Sequence, residues 1–312
     1  MKRAARCEIK EKFYHKGSGK GYIMEEKINA ERITSSMAQY PDMLRGIKNC
    51  PKELFCIGDI SLLKRRCVAV AGSRNTTVYG RNMAVRFAGD IARAGFTVVS
   101  GMARGIDTCA HRGALDAGGD TIAVLGCGVN VCYPKENGKL KKEIEQKGLV
   151  ISEYPPDAEP QRYFFPQRNR IISGLSELTL IVQARNDSGA LITAELAAEQ
   201  GREVCALPGN IDSQYNIGSN KLIREGATPV LSTGDLLEML GAGAFGREEA
   251  ERILSETELR IYRLLCEHGE LSTDELCRIM EKPPSYVAGI VTVMEMKGAV
   301  FSDMGKVFIA KA

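Results

Sequence analysis

The chain of 312 residues has no tryptophan, only three histidines and no long apolar run. A membrane helix needs roughly 20 consecutive apolar residues, whereas apolar runs such as Val68–Ala71 end after a few positions. We therefore expect no membrane span. The histidines do not have the spacing of zinc ligands, and we predict no metal site and no cofactor.

The ten cysteines include no CxxC pair, and the basic N-terminus lacks the apolar stretch of a signal peptide. Cysteines in such a chain are typical of small buried side chains rather than of disulfide bonds. We therefore expect a cytoplasmic protein. The net charge is only +3, and residues 1–22 hold seven basic and two acidic residues. Bulk charge thus gives no argument for a polyanionic partner.

From residue 67 onwards, short apolar runs alternate with helical stretches. The runs are CVAVA, FTVVS, TIAVL, LVIS, LTLIV, EVCAL and PVL. Continuous apolar strands that alternate with helices indicate a mostly parallel sheet covered on both faces. We predict an α/β fold with an extended Rossmann-like, doubly wound domain over residues 67–240.

The flanking regions differ from this domain. Residues 1–66 are expected to form an N-terminal extension, with a flexible basic tail and then a short helical lead-in whose helix covers 25–40. Residues 241–255 are rich in glycine, alanine and charge and fit a linker. Residues 256–312 predict three helices and a hairpin around Gly305, the pattern of a small C-terminal winged-helix domain.

A winged helix invites the hypothesis that it reads DNA, so its charge matters. Residues 256–312 contain nine acidic and seven basic residues, and the third helix offers only Lys297, with Glu295 beside it. A helix that reads DNA is normally basic. The sequence therefore favours contact with protein for this domain and argues against a transcription regulator.

Small residues follow five of the predicted strands, at the edge where open parallel sheets bind ligands. Glycine there is also ordinary turn chemistry. After the first strand, Gly72, Ser73 and Arg74 offer a hydroxyl, backbone donors and a guanidinium, which suit a phosphate oxygen. A surface arginine paired with a carboxylate is the equal alternative. Arg104, in the loop after the second strand, is expected to face the same edge.

The segment QRYFFPQRNRIISG, residues 161–174, combines arginines with aromatic residues and contains no acid. Interleaved aromatic and basic residues suit the bases and phosphates of single-stranded nucleic acid. The alternative makes Phe164 and Phe165 core residues with a rim of solvated arginines. Further along, Ser188 opens a helix, where it can bind an anion or simply cap the helix.

These motifs resemble the bacterial DNA-processing protein A family, also called DprA or Smf. The matching stretches are AGSRNTTVYG, SGMARGIDTCAH, AVLGCGVNVCYP, ISEYPP, FPQRNRIISGLS, QARNDSGALITAELAAEQGREVCALPG and NKLIREGA. They occur in the family's order over about residues 55–240. Longer members carry a helical SAM-like domain before the sheet, of which residues 1–66 could hold at most a remnant.

The resemblance implies a non-enzymatic protein that binds single-stranded DNA, protects incoming DNA and helps to load the recombinase RecA in natural transformation. It also implies self-association, which we carry over as a homodimer. By matching motifs, Arg74 would contact phosphate and Phe165 would stack on or wedge against a base. Arg168 and Arg170 would line the same groove. The second choices are Ser73, Arg104, Asn169 and Ser188.

An enzyme that acts on a small nucleotide is the alternative, because phosphoribohydrolases of the lysine-decarboxylase-like group have similar sheets. Those enzymes carry PGGxGTxxE, and the nearest text here is NDSGALITAE. The paired glycines are missing, and Thr193 and Glu195 are too close together for that motif. We found no other catalytic arrangement in the sequence, neither a G-x-S-x-G elbow nor a Cys-His pair with supporting spacing.

Overall fold

The computed structural model describes residues 30–241 and 254–309, except residues 298 and 304. The predicted basic tail and most of the predicted linker lie outside the described residues. Within the described part, no helix is long and apolar enough to cross a membrane. Of the nine described cysteines, four are buried, four are half-buried and Cys266 is exposed.

The larger part of the described chain is a nine-stranded sheet. Its strands are β1 Glu31–Thr34, β2 Glu53–Gly58, β3 Cys67–Ala71, β4 Thr97–Ser100, β5 Thr121–Val124, β6 Leu149–Ser152, β7 Leu178–Ile181, β8 Glu203–Ala206 and β9 Thr228–Pro229. Their spatial order is β1-β2-β6-β5-β4-β3-β7-β8-β9. All neighbours from β6 to β9 run parallel, so the mixed α/β class with a mostly parallel sheet is confirmed.

The strand order reverses between β3 and β7, because β4 lies on one side of β3 and β7 on the other. The loops that follow β3 and β7 therefore diverge and leave a gap between them. In open α/β sheets such a gap at the carboxyl edge is the usual ligand site.

Helices join most of the parallel strands. They are α1 Asp42–Arg45, α2 Val78–Arg93, α3 Ile106–Asp116, α4 Gly138–Lys147, α5 Phe164–Gly174, α6 Gly189–Glu199, α7 Ile217–Arg224 and α8 Thr233–Met239. Side-chain caps fix two of the starts next to the gap. The Thr77 side chain accepts from the Gly80 N–H at the start of α2, and Ser188 caps α6 by accepting from Ala190 N–H.

Strand β3 shows why the sheet needs helices on both faces. Val68 and Val70 pack into one apolar cluster with α2 and α3. Cys67 and Ala69, which alternate with them, pack into a second cluster with α5. Since alternate residues of a strand point to opposite faces, the continuous apolar run CVAVA requires two cores.

The helix predicted over residues 25–40 is wrong in its described part, because Glu31–Thr34 forms β1. Strand β1 pairs with β2, and β2 adds antiparallel to β6. Ile33 is buried, and the Arg32 guanidinium donates to Glu53 on the paired strand at 2.5 Å. The edge of β2, which itself pairs with β6, decides this conformation, since tertiary pairing overrides weak helix propensity.

The remaining described residues form three helices and a three-stranded antiparallel sheet. They are α9 Glu256–His268, α10 Thr273–Met280, α11 Pro284–Met296, β10 Glu270–Ser272, β11 Val300–Asp303 and β12 Lys306–Ile309, with the strand order β10-β12-β11. The three helices share their own apolar core, centred on fully buried residues such as Leu265 and Met294. Capping boxes at Ser255 and Ser272 start α9 and α10. The winged-helix assignment stays a prediction.

Candidate functional site

The gap at the strand-order reversal opens into a crevice of about 720 Å³. It lies between the loop that follows β3 and the first turns of α5 and α6. Six of the eight residues that the sequence singled out line this crevice, although they come from three separate segments. They are Ser73, Arg74, Phe165, Arg168, Asn169 and Ser188.

Arg74 and Phe165 meet at the wall of the crevice. The Arg74 guanidinium carbon lies 5.5 Å from the centre of the Phe165 ring, within the range of a cation–π contact. Among the described residues, this exposed guanidinium makes no hydrogen bond and no salt bridge, although its charge acts on the buried Asp107 carboxyl. The Tyr133 ring centre is 5.3 Å from that of Phe165. The wall thus presents a free cation beside two aromatic rings.

Phe165 is half-buried and does not belong to either core of the sheet. Its position depends on Gly126, at the end of β5. A Cβ at residue 126 would lie 2.7 Å from the Phe165 ring, closer than real atoms allow. This strand-end glycine therefore makes room for the ring, and not for direct approach of a ligand to the backbone.

Three short polar side chains hold the start of α6, two of them against the loop after β3 and the third against α5. The Ser73 hydroxyl accepts from the Arg185 N–H at 3.3 Å and lies 3.4 Å from the Ser188 hydroxyl. The Asn169 amide donates to the Gly189 carbonyl at 3.3 Å. Gly189 and Ala190, in the first turn of α6, also line the crevice. A helix N-terminus in this position favours negative charge.

Arg168 lies beneath the crevice and is only 3% exposed. Its guanidinium donates to the Gly101 carbonyl at 2.5 Å and to the Val124 carbonyl. These carbonyls belong to the ends of β4 and β5, so Arg168 ties α5 to two strands. A Cβ at Gly101 would lie 2.6 Å from this guanidinium, which explains the glycine there. Direct contact of Arg168 with a ligand stays a prediction.

Arg170 and Arg104 do not line the crevice. The Arg170 guanidinium forms an ion pair with Glu153 at 2.5 Å, and both side chains are largely buried. Arg104 is 65% exposed and pairs with Glu136 at 2.5 Å. It lies in a second hollow next to the crevice. Arg168 and Arg170, two residues apart in the motif FPQRNR, thus have different surroundings, because their side chains leave α5 on different sides.

Two buried titratable groups lie below the site. Asp107, in the first turn of α3, accepts from the Ala103 N–H at 3.3 Å. Burial raises the pKa of Asp107 to about 6, although the Arg168 guanidinium opposes this shift. His111, one turn later, has its Nδ1 2.7 Å from the Thr121 hydroxyl. Burial, with a smaller effect of Arg168, lowers the pKa of His111 to about 3.

The crevice is also lined by residues outside the sequence-predicted set, among them Tyr133, Arg162 and Arg185. Arg185 follows β7, so the rule that ligands bind after the strands could have found it. Arg162 stands in the aromatic-basic segment, one turn before Phe165. Tyr133 comes from the long segment between β5 and α4, within the matched stretch AVLGCGVNVCYP, but no role was predicted for it from the sequence. Among the described residues, no group of three potential metal ligands occurs.

Comparison with known families identifies the larger part of the chain. The family described as DNA recombination-mediator protein A matches residues 31–241. These bounds include all nine strands of the large sheet and the whole crevice.

Two curated proteins illustrate the similarity. DNA processing protein DprA of Bacillus subtilis (strain 168) is 43% identical over 217 residues, which are 69% of this chain and 72% of that protein. Protein Smf of Escherichia coli (strain K12) is 42% identical over 219 residues, 70% of this chain and 59% of that protein. The chain therefore spans less than two thirds of the length of the Escherichia coli protein.

Two solved structures are also similar. DNA processing protein A from Streptococcus pneumoniae has a TM-score of 0.65 and 42% identity, covering 67% of this chain and 74% of that chain. DNA processing protein A from Helicobacter pylori has a unique single-stranded DNA binding mode. It has a TM-score of 0.62 and 32% identity, covering 67% of this chain and 95% of that chain.

Proposed function

The chain belongs to the DNA recombination-mediator protein A family, and we propose that it binds single-stranded DNA in the crevice between β3 and β7. In this proposal it acts as a non-catalytic mediator of DNA processing in transformation and recombination, within the cytoplasm. The Helicobacter pylori relative, with its single-stranded DNA binding mode, supports the choice of ligand.

The observation that carries the proposal is the free Arg74 guanidinium beside the half-buried Phe165 ring. A guanidinium with open N–H groups suits a phosphate oxygen. An aromatic ring at a crevice wall suits the face of a base, and such stacking tolerates any sequence. A duplex hides those faces, so the combination favours a single strand.

The remaining residues take supporting parts. The first turn of α6, held by Ser73, Asn169 and Ser188, offers backbone donors to a second phosphate oxygen. Arg162 adds a second guanidinium that lacks a partner among the described residues. Arg168 contributes its charge from below and fixes α5 in place.

The enzymatic alternative is not favoured. Glu195, which the sequence aligned with a catalytic motif of nucleotide hydrolases, is exposed on α6 and is not part of the crevice wall. Thr193 does line the crevice, but it is 2% exposed and packs in the first turns of that helix. Asp107, the buried acid of the site, lies beside Arg168. The Ser73 and Ser188 hydroxyls of the crevice are engaged with backbone N–H groups near the start of α6.

The proposals for partners other than DNA are based on family membership. We extend the proposal to RecA as the recombinase that receives the bound strand and to a homodimer as the working form. We also propose that the C-terminal helices form a winged-helix module that contacts protein. Helix α11 supports this, because its exposed residues Tyr286, Val293 and Met296 are apolar rather than basic.

The test is a salt titration of binding to labelled poly-dT and to a matched duplex. We expect wild-type protein to prefer the single strand, with affinity falling as salt rises because bound phosphates release counterions. Arg74→Ala should weaken single-strand binding and make the salt dependence shallower. The matched control is Lys147→Ala, an exposed cation at the end of α4, where β6 begins and therefore at the opposite edge of the sheet. Equal binding by both variants would remove the crevice as the site.

A further inference from the structure

A second hollow of about 310 Å³ adjoins the crevice and shares Arg74 and Asn75 with it. Its other walls come from the start of α2, from the loop before α3 and from the short helix Lys135–Asn137. The hollow is therefore a continuation of the crevice beyond the Arg74 side chain, on the side away from Phe165 and the start of α6.

The lining of the hollow differs from that of the crevice. Among the described residues, no aromatic side chain lines it, so it lacks the rings that the crevice offers to a base. It has instead two exposed arginines, Arg81 and Arg104, in addition to Arg74. Three guanidinium groups around one small hollow suit the negative charge and the several oxygens of a phosphate group.

Arg81 keeps most of its donors available. One of its Nη groups donates to the Thr76 carbonyl at 3.0 Å, which holds the side chain over the hollow. Among the described residues, its other N–H groups have no acceptor. Arg81 is thus positioned by one bond and free to make others.

Arg104 is paired with a carboxylate of the protein. Its Nε lies 2.5 Å from Glu136 Oε1, and its Nη2 donates to Oε2 at 3.0 Å. This two-bond arrangement is the one that a phosphate would make. Both side chains are more than half exposed, and exposed ion pairs contribute little stability. A phosphate can therefore displace Glu136 at small cost.

We propose that this hollow binds the phosphate of the nucleotide next to the one in the crevice, with Arg81 and Arg104 as donors and Glu136 as an intramolecular competitor. The inference rests on the proposed function, because the strand must first enter the crevice. It gives the strand a direction across the protein, from Phe165 past Arg74 towards α3.

Oligo-dT of increasing length, titrated against the full chain, tests the inference. The variants are Arg81→Ala, Arg104→Ala and Glu136→Gln, with Lys147→Ala as the control and thermal unfolding to verify that each variant folds. With the shortest oligomer that wild-type protein binds, we expect all of them to match wild type. With longer oligomers, each arginine variant should lose roughly tenfold in affinity. Its salt slope should become shallower by about 0.7, as expected for one phosphate contact.

Glu136→Gln removes the competitor without removing a side chain from the hollow, so it tests the same idea in the opposite direction. We expect tighter binding of long oligomers by up to about fivefold, the limit for an exposed ion pair. If Arg74→Ala weakens binding while the three hollow variants match wild type at every length, the hollow is not a phosphate site. If wild-type protein binds no oligomer, the proposed function fails as well.

Discussion

The two edges of the parallel sheet use the same residue types in different ways. At the amino edge, Arg66 precedes β3 and binds both carboxylate oxygens of Glu177, at 2.9 and 2.7 Å. At the carboxyl edge, Arg74 and Arg162 have no such partner among the described residues. Arginines that are neutralised by the fold stabilise it, whereas arginines left open around a crevice can bind an anion.

Some arginines at the carboxyl edge are also neutralised by the fold, and replacement of the buried Arg168 should have the largest effect. Arg168→Ala leaves two strand-end carbonyls and Asp107 buried without their cation. We expect the free energy of unfolding to fall by about 3–5 kcal/mol, measured by urea denaturation. Arg168→Lys should not restore it, because a lysine cannot reproduce the fork of donors. A variant as stable as wild type would show that this arginine is as open as Arg74.

Phe165→Ala should give the next largest effect, and on DNA binding instead of folding. Loss of a stacking ring costs roughly 1–3 kcal/mol of binding free energy per base. Phe164→Ala is a matched control. The Phe164 ring stacks on the Tyr154 ring, with 3.7 Å between the ring centres, and Phe164 does not line the crevice. Fluorescence anisotropy with oligo-dT separates the two. Equal losses from both variants would mean that the ring contributes through the packing of α5.

The carboxyl edge also shows what the sequence could predict. The strands over 67–206 and the crevice residues Ser73, Arg74 and Phe165 follow from apolar runs, strand-end rules and matched motifs. These rules do not predict which side chains are buried. Arg168 and Arg170 are two residues apart in one motif, yet Arg168 lies under the crevice and Arg170 pairs with Glu153. Helical phase and partners on distant strands decide this.

The N-terminal strands teach the same lesson about distant partners. Glu31–Thr34 reads as helical by itself, because its neighbours are charged and lack alternation. It becomes a strand because it pairs with β2, and β2 is held in the sheet by β6, about a hundred positions later in the chain. A local pattern does not contain the free sheet edge that makes this pairing favourable.

A smaller effect, on the salt dependence of DNA binding, compares an open cation with a neutralised one. Arg162→Ala should make the slope of log affinity against log salt shallower by about 0.7, the value for one contact with single-stranded DNA. Lys147→Ala removes a charge that Glu143 already neutralises at 3.1 Å, and it should leave the slope unchanged. The measurement is a salt series of anisotropy titrations with poly-dT. Identical slopes for Arg162→Ala and wild type would place Arg162 outside the path of the strand.

The smallest net effect concerns pH and the acid below the crevice. The folded pKa of Asp107 is about 6, above its ordinary value, so between about pH 4 and 6 only the folded state keeps this proton. Its contribution to stability is therefore present at low pH and is lost as pH rises through 6. His111, with a folded pKa of about 3, acts in the opposite direction, because only the unfolded chain takes up its proton between about pH 6.5 and 3. The two slopes oppose each other in wild-type protein.

Asp107→Asn removes one of these slopes and leaves the other. We therefore expect the free energy of unfolding of this variant to rise more steeply from pH 4 to 6 than that of wild type, in urea titrations at stepped pH. His111→Asn should do the reverse and make stability fall over the same interval. Parallel pH profiles for wild type and Asp107→Asn would mean that Arg168 keeps Asp107 ionised in the folded state. Arg168 and Asp107 would then resemble the neutralised arginine–carboxylate pairs of the amino edge, and open arginines such as Arg74 and Arg162 would distinguish the two edges.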